Sequence, residues 1–181
     1  MKSGKLKEEK ISGALVYAGG FLEVHKDVVR LPDGSEGTRE YIHHPGAVLI
    51  VPLFSDGRVL LERQYRYPQG REFIEVPAGK RDEGEDPLAT AKRELLEETG
   101  YVASDWKRFG VFHTAIAYSD EGIEMFVARG LEKREAKLDA GEFLEIFDVK
   151  FEEALEMVRD GRITDAKTVA ALLWVDRFGR G

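Results

Sequence analysis

Apolar and polar positions change period several times along the chain, and each change marks an element. Near the start, GALVYAG, FLEVHKDVVRL and TREYIHH are short, rich in Val, Tyr and Phe, and separated by GG and PDGSEG. Such runs, broken by Gly, Pro and Asp, predict strands and tight turns. Residues 11–45 therefore read as a small antiparallel sheet. Alone, it offers too little apolar surface to be stable, so it must pack on the rest of the chain or on a second copy. From Pro45 onward the apolar pattern is denser. GAVLIVPLF is nearly all apolar, as in a strand buried on both faces. The Asp-Gly of SDG predicts a hairpin into RVLLERQYRY. REFIEVPAG, WKRFGVFHTAIAYS, GIEMFVARGL and FLEIFDVK predict further strands.

Three stretches carry helical periodicity instead. Asp86-Pro87 reads as an N-cap followed by a proline with no N–H to lose, and Gly100 as the stop, which predicts a helix over about 87–99. At about 100° per residue, Leu88, Ala91, Leu95 and Thr99 form its apolar stripe. FEEALEMVRDG places Phe151, Ala154, Leu155 and Val158 on one face. TDAKTVAALLWVDRFG begins on a Thr-Asp cap and runs to Gly179. The element order is not an alternating βαβα, and no GxGxxG follows a strand, which argues against a doubly wound dinucleotide fold. The expected class is α/β (α+β), a mixed sheet with three helices plus a small N-terminal antiparallel sheet.

Composition narrows the function classes. The chain has 181 residues, of which 43% are hydrophobic, enough for one domain with a small appended piece. The absence of cysteine excludes disulfides, zinc-thiolate sites and thiol nucleophiles, and fits a reducing compartment. A net charge of −7 argues against general nucleic-acid affinity. No apolar run resembling a signal peptide follows MKSGKLKEEK, and no stretch approaches the roughly 20 apolar residues of a membrane span. The expectation is a soluble cytoplasmic protein with neither a nucleic acid nor a membrane as partner.

The candidate chemistry lies on the first helix. Glu94, Glu97 and Glu98 share an arc of about 100° opposite the apolar stripe. Three like charges near a helix C-terminus repel one another and oppose the macrodipole. A divalent cation relieves both penalties, and hard oxygen donors suit Mg²⁺ or Mn²⁺. Taken alone, RExxEE reads more simply as a solvated charged face. The wider spacing decides between them. Gly79, five residues, Glu85, seven residues, Arg93-Glu94-Leu95, one residue, Glu97-Glu98, one residue and Gly100 together resemble the Nudix box, the signature of the Nudix hydrolases. One position departs: Tyr101 stands where the family usually has Ile, Leu or Val, and Tyr also fills an apolar slot.

The resemblance implies an α/β/α sandwich that uses Mg²⁺ or Mn²⁺ to cleave a nucleoside diphosphate linked to another moiety. It implies that Glu94, Glu98 and the nearby Glu97 hold metal together with the Ala78 carbonyl, and that Arg93 and Glu85 form an ion pair orienting the helix. The whole chain is more similar to the ADP-ribose pyrophosphatase branch than to shorter members. Residues 1–45 look like that branch's dimer-forming segment and 46–181 like its catalytic domain, which implies a homodimer. LLERQYRY resembles its substrate-binding strand, with Arg66 near the diphosphate or adenosine, and EFIEVPAGKRDEGE its entry to the box, with Glu75 facing the site. A glutamate on a loop between the box and the last strand serves that branch as base or as a metal-water ligand. In LDAGEFLEIFDV, Glu142 fits best, with Glu145 and Asp139 as alternatives.

Arg39 is a candidate for substrate phosphates, or else a sheet-edge charge. Many ADP-ribose hydrolases carry a proline 15 or 16 residues after the box, and here no proline follows Pro87. The substrate expectation is therefore ADP-ribose, giving AMP and ribose 5-phosphate, with another ADP-linked compound or GDP-mannose as the alternative. A non-catalytic nucleotide sensor is a different class of reading, and the intact box counts against it. A Nudix enzyme acting on capped RNA or nucleoside triphosphates is a third, which the acidic balance and the extra N-terminal sheet oppose.

Overall fold

The computed structural model describes residues 4–135, 141 and 143–179. In chain order the elements are β1 (Glu9–Ala18), β2 (Glu23–Arg30), β3 (Glu36–His43), β4 (Ala47–Pro52), β5 (Arg58–Arg66), β6 (Arg71–Glu75), β7 (Ala78–Lys80), α1 (Pro87–Thr99), β8 (Tyr101–Phe112), β9 (Ile123–Lys133), β10 (Leu144–Lys150), α2 (Phe151–Arg159) and α3 (Ala166–Phe178). A single 3₁₀ turn, Tyr67–Gln69, joins β5 to β6. The chain divides into two compact units, residues 1–45 with 113–121, and residues 46–112 with 122–181. No helix of the described residues is long and apolar enough to cross a membrane.

The first unit is an antiparallel sheet in the order β1-β2-β3. Its β2–β3 turn is PDGSEG, where Gly34 takes a φ of 88° that a side chain rarely adopts. Asp27 on β2 is buried beside Lys10, with Nζ 2.9 Å from Oδ1. Its carboxylate leaves no room for a Cβ on Gly13 of β1. Residues 113–119, expected as strand, are not: β8 ends at Phe112, and Ser119 makes only a bridge to Ile42 of β3. The backbone there turns, with Tyr118 and Ser119 both donating to the Ala115 carbonyl. A stretch that reads as strand does not become one without a partner to supply its hydrogen bonds.

The second unit is built around β4. Among the described residues its strands form two sheets, β7-β4-β9-β8 and β10-β5-β6. β4 runs parallel to β9 and antiparallel to β7, so the first sheet is mixed. All six β4 residues are buried, as its continuous apolar run predicts. Because side chains alternate across a strand, one strand feeds two cores. Ala47, Leu49 and Val51 join Val59, Leu61, Met125 and residues of α2 and α3, whereas Val48 and Ile50 join Ala91 and Leu95 of α1. This places α1 on one face of the mixed sheet and α2 and α3 toward the other, an α/β/α layering. The SDG turn forms, with Gly57 at φ 85°, but β4 and β5 do not stay paired. Just past β4, Leu53 bridges to Val59, while β4 itself spends its hydrogen bonds on β7 and β9.

Candidate active site

α1 begins where its sequence says it should. The Asp86 side chain accepts from Leu88 and Ala89 N–H at 3.0 and 3.1 Å, and Pro87 follows. Gly100 ends it in the left-handed region, φ 69°. The cap and the glycine fix the helix ends, and the Ala91–Leu95 stripe fixes its rotation against the sheet.

That rotation lays the acidic face against β7. Glu98, expected on the open side of the helix, is only 6% exposed. Its Oε2 accepts from the Ala78 N–H at 3.2 Å. A Cβ on Gly79 would overlap the Glu94 carboxylate, so only glycine leaves room for that carboxylate in its present position. One side chain organises the others. Arg93 donates to Glu85 through Nε at 3.1 Å and Nη2 at 3.0 Å, while Nη1 lies 2.9 Å from both Glu94 Oε1 and Glu97 Oε2. Nη2 also donates to the Lys80 carbonyl at 3.3 Å. The Arg93 bond is the main reason the Glu85 carboxyl is lowered to about 2. Burial opposes it, and Thr90 and the Asp82 N–H assist. Arg93 is raised in turn, first by Glu85, then by Glu97 and Glu94, against the cost of burial.

The donor chemistry here suits a hard cation: three carboxylates and the Ala78 backbone beside a glycine cradle. Among the described residues, no three His, Asp or Glu side chains are drawn together as a ready cage. Arg93 stands between Glu94 and Glu97, and Glu98 turns to the Ala78 N–H. A cation bound here would compete with that guanidinium for Glu94 and Glu97.

A second charged group lies along a cleft of about 590 Å³ between β5, β6 and the start of α3. Glu75 is 2% exposed, and Arg66 grips it with two parallel bonds, Nε to Oε1 and Nη2 to Oε2, each 2.7 Å. Lys167 of α3 donates to Glu75 Oε2 as well, and to Asp165 at 2.9 Å. Burial pushes the Glu75 carboxyl up, but Arg66 and Lys167 outweigh it and hold the group below its ordinary value. Asp165 caps α3, accepting from Thr168 N and Oγ1 at 3.0 and 2.6 Å, and Thr168 Oγ1 accepts from Val76 N–H at 3.1 Å. The segment from Glu75 to Ala78 is thus tied to α3 at Glu75 and Val76, to β4 through Ile50 N–H on the Pro77 carbonyl, and to α1 at Ala78.

The structure therefore gathers Glu85, Arg93, Glu94 and Glu97 through one guanidinium, sets Ala78 against Glu98, and joins Arg66 to Glu75. Arg39 belongs to the first unit, where it pairs with Glu8 through Nε and Nη2. Glu142 and Asp139 lie outside the described residues. Glu145, on β10, is exposed and pairs with Arg63 Nη1 at 2.5 Å. Sequence reasoning missed Lys167 and Thr168. The Asp165 cap was legible, but nothing local joins these residues to partners 92 positions away.

Comparison with known proteins adds the family. Residues 43–172 match the model described as NUDIX domain, and residues 8–42 that of a nucleoside diphosphate sugar hydrolase N-terminal domain. The chain is 39% identical over 175 residues to the methanol dehydrogenase activator of Bacillus methanolicus, covering 95% of each chain. It is 38% identical over 179 residues to the ADP-ribose pyrophosphatase of Bacillus subtilis (strain 168), covering 97% of this chain and 95% of that one. The crystal structure of an ADP compounds hydrolase shares the fold, with a TM-score of 0.86 at 23% identity over 98% of this chain and 99% of the other.

Proposed function

The chain belongs to the Nudix hydrolases, a family that typically uses divalent metals, and from that premise we propose that it hydrolyses the pyrophosphate bond of ADP-ribose to AMP and ribose 5-phosphate. The observation that carries the reading is the acidic face of α1 laid against Ala78 and Gly79, where a missing Cβ admits the Glu94 carboxylate. Glu94, Glu97, Glu98 and the Ala78 carbonyl would hold Mg²⁺ or Mn²⁺. Such an ion neutralises the diphosphate and lowers the pKa of an attacking water. The chain's own residues do the rest. Glu85 and Arg93 fix the helix face, Arg66 offers its remaining donors to phosphate oxygens, and Glu75 orients Arg66. Glu142 is the proposed base, from its place before β10, and Arg39 a proposed phosphate contact. The 38% identical relative named for this activity supports ADP-ribose over other nucleotide sugars.

The reading includes a homodimer in the cytoplasm. Its support is β1, exposed at every residue and carrying Ile11, Leu15, Val16 and Tyr17, a surface a second copy would cover. Residues 1–45 would then serve assembly and 46–181 catalysis. Light scattering on the purified protein should return twice the 20.4 kDa chain mass, and a monomer removes the dimer from the reading.

The deciding experiment is a panel of ADP-ribose, NADH, a diadenosine compound, GDP-mannose and dGTP with Mg²⁺ or Mn²⁺. ADP-ribose should lead by roughly tenfold in kcat/KM. If GDP-mannose leads, the substrate assignment fails and the metal site stands. If nothing is turned over, the enzyme reading fails and nucleotide sensing takes its place. The relative named for methanol dehydrogenase activation favours a second reading, in which the chain raises the rate of such an enzyme. A dehydrogenase rate unchanged by added protein discards it.

A further inference from the structure

Glu75 poses a problem of charge. Its direct partner across the β5–β6 pair is Glu62, and the two are 2% and 1% exposed. Opposed like charges on neighbouring strands repel, and a buried site screens them poorly. Arg66 is one guanidinium under the influence of three carboxylates, Glu75, Glu62 and Asp165. A buried anion needs pairing and hydrogen bonds to be kept at all. Lys167 provides the second cation. It reaches Glu75 Oε2 from the first turn of α3, a turn already fastened by Thr168 to Val76, the residue after β6. Arg71 adds a further tie to the loop before α3, donating to Thr164 Oγ1 at 3.1 Å.

This division of labour has a consequence for Arg66. Glu75 occupies its Nε and Nη2, and among the described residues Nη1 makes no hydrogen bond. A guanidinium carries five N–H donors, so an edge of Arg66 is left over in a cleft that Arg66 itself lines. With Lys167 in place, two side-chain cations, Lys167 and Arg66, contact the Glu75 carboxylate. Without it, the cleft gains one unit of negative charge and Arg66 becomes a closed pair with Glu75.

We propose that Lys167 is a positioning residue for substrate capture: it shares the buried Glu75 carboxylate with Arg66, so that Arg66 keeps both a fixed orientation and the positive charge to bind a nucleoside diphosphate. The proposal rests on the pyrophosphatase reading and extends its site to α3, an element outside the box. Lys167 touches no reacting atom, so its loss weakens capture and spares the chemical step.

The test is steady-state kinetics on Lys167→Met and Lys167→Arg, using whichever panel substrate wild type turns over best, with calorimetric titration of ADP alongside. Lys167→Met should raise KM and the ADP Kd about tenfold while kcat stays within about threefold, and Lys167→Arg should recover most of the loss. In an Arg66→Met background, adding Lys167→Met should change KM less than twofold, because the lysine acts through the arginine. A purely structural lysine would lower the melting temperature and leave KM and Kd alone, and that result overturns the proposal. So does a KM effect of the same size with and without Arg66. If Lys167→Met does not fold, Lys167→Gln, which keeps a donor and loses the charge, takes its place under the same criteria. Wild-type turnover with an unmoved mutant KM sinks this inference alone. Wild type that neither turns over the panel nor binds ADP sinks the pyrophosphatase reading and this inference with it.

Discussion

The box helix and the α3 cleft solve the same problem in different ways. Each holds buried or half-buried carboxylates with an arginine. In the box, Arg93 meets partners one, four and eight residues away, Glu94, Glu97 and Glu85. In the cleft, Arg66 meets Glu75 across a tight turn, but the second cation arrives from 92 residues along the chain. The box is a local device whose charges are ordered by helical geometry. The cleft is a tertiary device whose charges meet only because α3 docks on β6. A local device can be carried as a sequence motif; a tertiary one depends on the packing that brings its parts together.

The largest expected effect breaks the box without breaking the fold. Glu98→Gln keeps a carbonyl able to accept from Ala78 N–H but removes an anionic oxygen. Turnover with Mg²⁺ should fall by about a thousandfold or more, as for loss of a charge that acts in the transition state, with circular dichroism unchanged. A mutant of full activity would show that the carboxylate has no part in the chemistry. Next in size is Gly79→Ala. The added methyl meets the end of the Glu94 side chain, which can swing away, so the displacement costs function more than stability. We expect kcat to drop by roughly tenfold to a hundredfold while the melting temperature moves little. A drop in melting temperature with activity intact would reverse that ranking. The tenfold KM change at Lys167 follows, and it is the measurement that sets cleft against box: KM moves in one, kcat in the other.

Acid separates them further. Glu85 titrates near 2 in the folded protein, below its ordinary 4.5. A depressed folded value means the unfolded chain takes up the proton first, so the stabilisation is complete above about pH 4.5 and is lost as pH falls toward 2. In the metal-free protein, the gap in melting temperature between wild type and Glu85→Gln should be constant above pH 5 and close below it. A gap that persists unchanged to the lowest pH would mean the Arg93 pairing does not set the Glu85 titration. The smallest effect belongs to the cap. Asp86→Ala removes the acceptor for Leu88 and Ala89 N–H and should cost about 1 kcal/mol in urea unfolding. A cost near zero would show that tertiary packing alone holds the helix start.

Sequence by itself determined whatever repeats over a few residues. The ends of α1 followed from Asp86, Pro87 and Gly100, because caps and left-handed glycines are local backbone chemistry. The burial of β4 on both faces followed from its unbroken apolar run. The spacing of Arg93, Glu94, Glu97 and Glu98 put their side chains on neighbouring parts of one helix, since 3.6 residues per turn is a property of the backbone. Tertiary structure decided the rest. Helical spacing told which glutamates are neighbours but not that Glu98 would be the buried one, since that depends on how far α1 rotates onto β7. Residues 113–119 read as the end of a strand, but a strand exists only where another strand offers hydrogen bonds. The SDG turn formed as written, yet β4 and β5 parted into different sheets because β7 and β9 claimed β4. Lys167 carried no signal at all, because a charge has meaning only beside its partner. Bringing it to Glu75 required the whole second unit to fold.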